Sequence, residues 1–153
     1  MADPEHEDHG GVDLAAIKRV IETADVFVVR FGLVEHRLMV DARPDSEGRP
    51  YIKVVPPVSS PEERYRFLQR ERPGLAPPEQ ITVFQWPRSI TVLRETGLWD
   101  AIEERMLTVA GEPAVQMARA AFREGRRLER ADTLALIRGG EGYETIWARE
   151  GSS

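Results

Sequence analysis

Residues 26–42 read VFVVRFGLVEHRLMVDA, and the fold follows from how this stretch is divided. VFVVRF (26–31) is β-branched or aromatic at every position but one, Gly32 interrupts, and LVEHRLMVDA (33–42) then alternates. Period-two spacing sets Val34, His36, Leu38 and Val40 against Glu35, Arg37 and Asp41, so one face is apolar and the other charged. Two adjacent strands are expected, with helices covering the apolar face.

Before this pair, Asp13 can cap a helix in which Leu14, Ile17, Ile21 and Ala24 share one face. After it, the turn-rich RPDSEGRP (43–50) leads to YIKVV (51–55), a third strand in meander order that Pro56 and Pro57 end. SPEERYRFLQR (60–70) carries a complete helix start: Ser60 as cap, Pro61 at the first position, Glu63 closing a capping box. A proline-rich link, GLAPPEQ (74–80), precedes a fourth strand, ITVFQW, and WPRS (86–89) reads as a corner with Pro87 in the first turn of the next helix. Gly97 and Gly111 punctuate the helices that follow, the last of them covering 112–130. TLALIR (133–138) and YETIWAR (143–149) flank GGEG and predict a C-terminal β-hairpin, with Leu134 opposite Trp147 and Arg138 opposite Tyr143. The expected class is α+β: an N-terminal helix, a three-strand meander, helix and strand, a helical stretch, then the hairpin, on a mixed or antiparallel sheet. Trp86, Trp99 and Trp147 are expected in the core.

Composition bounds the function. A chain of 153 residues fits one domain, expected over 13–149 behind an acidic, disordered tail at 1–12. Five of the 26 acidic residues (Asp3, Glu5, Glu7, Asp8 and Asp13) precede the first basic one, Lys18, which leaves 21 acids against 21 bases and places the whole net charge of −5 at the N-terminus. With no cysteine, thiolate catalysis, disulfides and thiolate metal sites are excluded. No apolar run is long enough to span a bilayer and MADPEHEDHGG has no leader pattern, so a cytoplasmic protein without membrane contact is expected. The HEDH run at 6–9 lacks preorganised geometry, and no metal or cofactor is expected.

The most distinctive charge pattern lies on the 112–130 helix. At 100° per residue Arg119, Arg123, Arg126, Arg127 and Arg130 fall within an arc of about 100°, with Met117, Ala118, Ala121, Phe122, Gly125 and Leu128 opposite. Such a stripe suits an acidic protein surface or a phosphate backbone. A second candidate is an anion site at the WPRS corner, from Arg88, Ser89 and backbone N–H groups. His36, on the apolar face of its strand, is expected to be a core or interface histidine with one hydrogen-bond partner.

The order helix, three strands, helix, strand over 13–86 resembles the αβββαβ core of the PD-(D/E)xK nuclease superfamily. The resemblance implies a metal-binding Asp near the end of the second strand, here Asp41 or Asp45, and a lysine on the third, here Lys53, one of the chain's two lysines. The sequence departs from that pattern at Tyr51, where the second acid should stand two residues before the lysine. Three readings result. The leading one is a non-catalytic accessory protein working through protein contacts or self-association, on the arginine stripe and the link at 75–78. The second is a nucleic-acid-binding or degenerate nuclease-like domain using Asp41 and Lys53. The third is a small-molecule-binding or hydrolytic domain with a pocket lined by His36 or Arg88.

Overall fold

The computed structural model describes residues 13–138 apart from 56, 58 and 59. The acidic tail at 1–12 and the 143–149 arm of the expected hairpin lie outside those residues. Within them the order is α1 (Leu14–Thr23), β1 (Val26–Phe31), β2 (His36–Asp41), β3 (Tyr51–Val55), α2 (Pro61–Glu71), β4 (Thr82–Trp86), α3 (Ile90–Glu95), α4 (Leu98–Ala110) and α5 (Glu112–Arg138), with a short 3₁₀ turn at Pro78–Gln80. This is an α+β fold on a mixed four-stranded sheet of order β3-β2-β1-β4.

The meander is antiparallel, Val29 facing Leu38 and Leu38 facing Val54. β4 returns to the free edge of β1 and runs parallel to it, with Phe27 opposite Thr82 and Phe31 opposite Trp86. A parallel return needs a crossover, which α2 supplies. Its start is fixed as its sequence predicts: Ser60 Oγ accepts from Glu63 N at 3.1 Å, behind Pro61. Asp13 caps α1 in the same way, accepting from Ala16 N at 3.1 Å.

Strand alternation divides the core in two. Phe27, Val29, Phe31, Leu38, Val40, Ile52 and Val54 point to one face, where they pack with α1, α3, α4 and α5 through Ile21, Ile90, Leu93, Trp99, Ile102, Met106 and Phe122. Val26, Val28, Met39 and Val55 point to the other and are covered by Leu68 of α2 together with Leu75 and Ala76. The link at 75–78 is therefore not the contact surface its composition suggests: two of its apolar residues plug the second core, and Tyr65 Oη donates to Ala76 O at 3.0 Å.

Three boundaries differ from expectation. Residues 33–35 form a turn rather than the start of β2, closed by Glu35 N donating to Gly32 O, with Glu35 in the left-handed region at φ 54°. The start of α3 falls at Ile90, so Pro87 belongs to the connection and Ser89 is the cap, its Oγ accepting from Val92 N at 3.3 Å. Residues 133–138 are the last turns of α5, not a strand. Nothing between Arg126 and Arg138 breaks a helix, and Ala131, Leu134, Ala135 and Leu136 are strong helix formers. Thr133, which reads as β-forming, returns its Oγ1 to Glu129 O at 3.1 Å instead.

The first half of α5 lies flat on the core through Ala114, Val115, Ala118, Ala121, Phe122 and Gly125. A Cβ on Gly125 would come within 2.7 Å of Ile90 Cδ1 and 3.2 Å of the Phe31 ring, both in the fully buried core. The absent side chain sets how closely helix and sheet approach. Gly125→Leu is expected to lower the unfolding free energy by about 2 kcal/mol through overpacking, read as a reduced urea midpoint at unchanged slope.

Candidate functional site

α5 displays the expected arginine stripe. Arg119, Arg123, Arg126, Arg127 and Arg130 are all exposed. Two are engaged with acids: Arg119 donates to Glu103 Oε1 at 3.1–3.2 Å, and Arg127 forms a two-pronged pair with Glu124 at 2.7 and 3.0 Å. Among the described residues Arg123, Arg126 and Arg130 have no hydrogen-bond or ion-pair partner, and they border an open cleft of about 420 Å³ with Thr91, Arg127, Glu129 and Thr133. Because the helix continues to Arg138, Leu134 and Ile137 fall on the same arc, four and seven residues beyond Arg130. They are 41% and 71% exposed, so the basic face ends in an apolar one. Reading 133–138 as a strand hides this, since helical periodicity alone puts the two residues in line with the arginines.

The same helix carries two anchoring acids that its sequence does not mark, and one of them, Glu129, also lines the cleft. Glu129 reaches the start of α3, where both its oxygens accept from Ile90 N at 3.1 Å. It therefore fills the anion position expected beside Arg88 and Ser89 with a carboxylate from the chain itself. Gly32 N donates to Arg88 O at 3.0 Å, and a Cβ on Gly32 would meet Glu129 Oε2 at 2.8 Å. One turn later Asp132 Oδ2 pairs with His36 Nε2 at 2.8 Å. His36 is buried beside the Phe31 ring, and its Nδ1 has no partner among the described residues. Neither His36 nor Arg88 borders the α5 cleft.

Asp41 and Lys53 emerge on the same sheet face, the one under α2, Asp41 opposite Tyr51 and Lys53 opposite Met39. They are not joined. Asp41 is wholly buried and accepts from Arg43 N and Nε at 3.0 Å, from Arg43 Nη2 at 2.9 Å and from Arg72 Nε at 3.3 Å. Arg72 in turn donates to the backbone oxygens of Arg43 and Arg49, which ties the end of α2 to the β2–β3 loop. Lys53 pairs with Glu71 at 3.0 Å. Asp45 shapes its own loop, accepting from Glu47 N at 2.8 Å and Arg49 N at 3.0 Å, and these backbone donors hold its carboxyl below the usual range. Tyr51, in place of an acid, is partly buried, and burial pushes its phenol up to about 12. No group of three or more His, Asp or Glu among the described residues is arranged to hold a metal ion. No helix among them is long and apolar enough to cross a membrane.

In comparisons with protein-family models, curated proteins and solved structures, nothing matched this chain.

Asp41 thus acts as the acceptor for two guanidiniums, one of them, Arg72, buried. Arg72 Nη1 also lies 3.5 Å from Asp45 Oδ2, so Asp41→Asn removes the buried one of its two counter-charges and is expected to cost about 3 kcal/mol of unfolding free energy. Equilibrium denaturation measures this, and a loss under about 1 kcal/mol would mean that the cluster is not structural.

Burial raises the Glu129 carboxyl above its ordinary 4.5, opposed by the Ile90 N–H and by His36 and reinforced by Asp132. The fold therefore favours the protonated form. This contribution to stability is full below the ordinary value and is lost as pH rises through the raised one. In denaturation series between about pH 4 and pH 7, stability relative to Glu129→Gln is expected to fall as pH rises. A constant difference would contradict the assignment.

Proposed function

We propose that this protein works by contact and not by chemistry of its own, and that the face of α5 receives an acidic segment of a protein partner. One observation carries the reading: three exposed arginines without partners among the described residues stand in line with exposed Leu134 and Ile137. Arginine next to apolar area suits the buried centre of a protein interface, where its fork binds carboxylates and its stem packs. The expected occupant has carboxylates over Arg123, Arg126 and Arg130 and apolar side chains toward Ile137. A phosphate backbone fits this face less well. Glu103 and Glu124 interrupt the stripe, the chain carries a net charge of −5, and a polyphosphate gains nothing from the leucine and isoleucine. The groups first in line for catalysis have other commitments, Asp41 to Arg43 and Arg72, and His36 to Asp132.

The test places a photo-crosslinking amino acid at position 134 in cells of the source organism and then measures the captured protein against the purified chain. An acidic partner is expected, with affinity reduced about 100-fold or more when Arg123, Arg126 and Arg130 all become Glu, and reduced also by Ile137→Asp. Capture of a second copy, with concentration-dependent mass, would make the interface a self-association. Labelled DNA and RNA are examined in parallel by fluorescence anisotropy. Salt-steep binding lost in the triple variant but untouched by Ile137→Asp would replace the protein reading with nucleic-acid binding.

A further inference from the structure

Three guanidiniums gather on the sheet face away from α5. Arg30 and Arg37 are direct cross-strand partners on β1 and β2, a placement in which like charges repel. Arg64 approaches them from α2, close enough that its charge acts on Arg37. Arg30 is satisfied in part: its Nη2 donates to Glu35 Oε2 at 2.5 Å, and Gln85, turned to suit both neighbours, accepts from its Nη1 at 2.7 Å and donates to Glu35 Oε1 at 3.2 Å. Arg37 is only 7% exposed. Its Nη1 donates to Glu35 O at 2.9 Å, but its Nε is buried without a partner among the described residues, and so is Nε of Arg64. Burial, then the charges of Arg64 and Arg30, push Arg37 down to about 10, and burial with Arg30 lowers Arg64 as well. Among the described residues only the Glu35 carboxylate, on an exposed residue, answers all three. Buried donors without acceptors carry a desolvation cost that an incoming acceptor would relieve.

Arg37 and Arg64 line a groove of about 600 Å³ between α2 and the outer part of the sheet. Its walls include Val28, Leu68, Ile81 and Val83, with Arg66 and Glu62 among its polar residues. Val83 is 54% exposed although it sits on a strand, because nothing among the described residues covers that end of the β4 edge. We propose that this groove binds a small amphipathic anion, whose carboxylate or phosphate accepts from Arg37 and Arg64 while its apolar body lies along Val28, Leu68, Ile81 and Val83. The volume is that of small-molecule sites, and such sites pair apolar walls with a few convergent polar groups. Guanidinium donors match both head groups in geometry, and partial burial strengthens the bond relative to water. A neutral ligand would leave the repulsion among the arginines in place, and a bare anion would leave the apolar wall wet. Both parts of the ligand are therefore needed. The groove and the α5 stripe lie on opposite sides of the sheet, so this site does not depend on the contact function.

Titration calorimetry of the full chain with octanoate, octyl phosphate, octanol and inorganic phosphate tests the site. At least one amphipathic anion is expected to bind saturably at one per chain, with octanol and inorganic phosphate each about ten-fold weaker or more. The tighter of octanoate and octyl phosphate identifies the head group. Arg64 is partly exposed on a helix, so Arg64→Gln is expected to keep the wild-type thermal midpoint while weakening the anion about ten-fold and leaving octanol unchanged. Val83→Asp should weaken the anion too, and Arg123→Glu should have no effect. Absence of saturable anion binding, octanol binding as tightly as the anions, or Arg64→Gln binding like the wild type would each overturn the proposal.

Discussion

Strand β1 has hydrogen-bonded neighbours on both edges and side chains buried on both faces, and the remaining elements are arranged around that position. Its edges require β2 on one side and β4 on the other. Its faces require two covers of different size. Phe27, Val29 and Phe31 are too large for one helix to enclose and receive α1, α3, α4 and α5, whereas Val26 and Val28 are covered by α2 and the link after it. The crossover from β3 to β4 is what brings α2 over the smaller face, so the parallel pairing at one edge and the second core have a single cause.

Period-two alternation also sorts the charges, and it does so less comfortably. On the α2 side it places Arg30, Arg37, Asp41 and Lys53 on a face that also holds Met39, Val28 and Val55. At one end Asp41 collects Arg43 and Arg72 into a satisfied cluster that fastens the helix end to the loop. Toward the other, three arginines share one carboxylate. The two ends differ in the number of acceptors and not in the type of donor. This is why one reads as structure and the other as a place for a ligand.

Much of the architecture was legible because it rests on local chemistry. β1 and β3 keep their expected limits, the caps at Asp13 and Ser60 form the predicted bonds, and Trp86 and Trp99 are buried as apolar periodicity requires. The misreadings occurred where local preference was weak. Thr-Leu-Ala-Leu-Ile suits a strand by its β-branched ends and a helix by continuation, and the glycine-rich stretch next to it favours a hairpin when local sequence alone is weighed. Contacts between distant segments left less signal still. That Glu129 would cap α3, that Asp132 would meet His36, or that Arg64 would join Arg30 and Arg37 depends on strand register and helix placement, which no spacing within one segment encodes.

The two acids of α5 bear on what its outer face can do. Up to Gly125 the helix is held by close apolar packing, with small residues setting the approach. Beyond it, contact passes to Glu129 on the Ile90 N–H and Asp132 on His36, with Leu128 partly buried between the two regimes. Arg126 and Arg130 stand on that second stretch, and so do Leu134 and Ile137. An interface there is presented by a helix anchored through directional bonds, which fix its rotation as apolar packing alone does not. Rotation determines whether the arginines and the apolar pair face the same partner. The inward acids therefore give the outward guanidiniums a defined direction without direct contact to Arg123, Arg126 or Arg130.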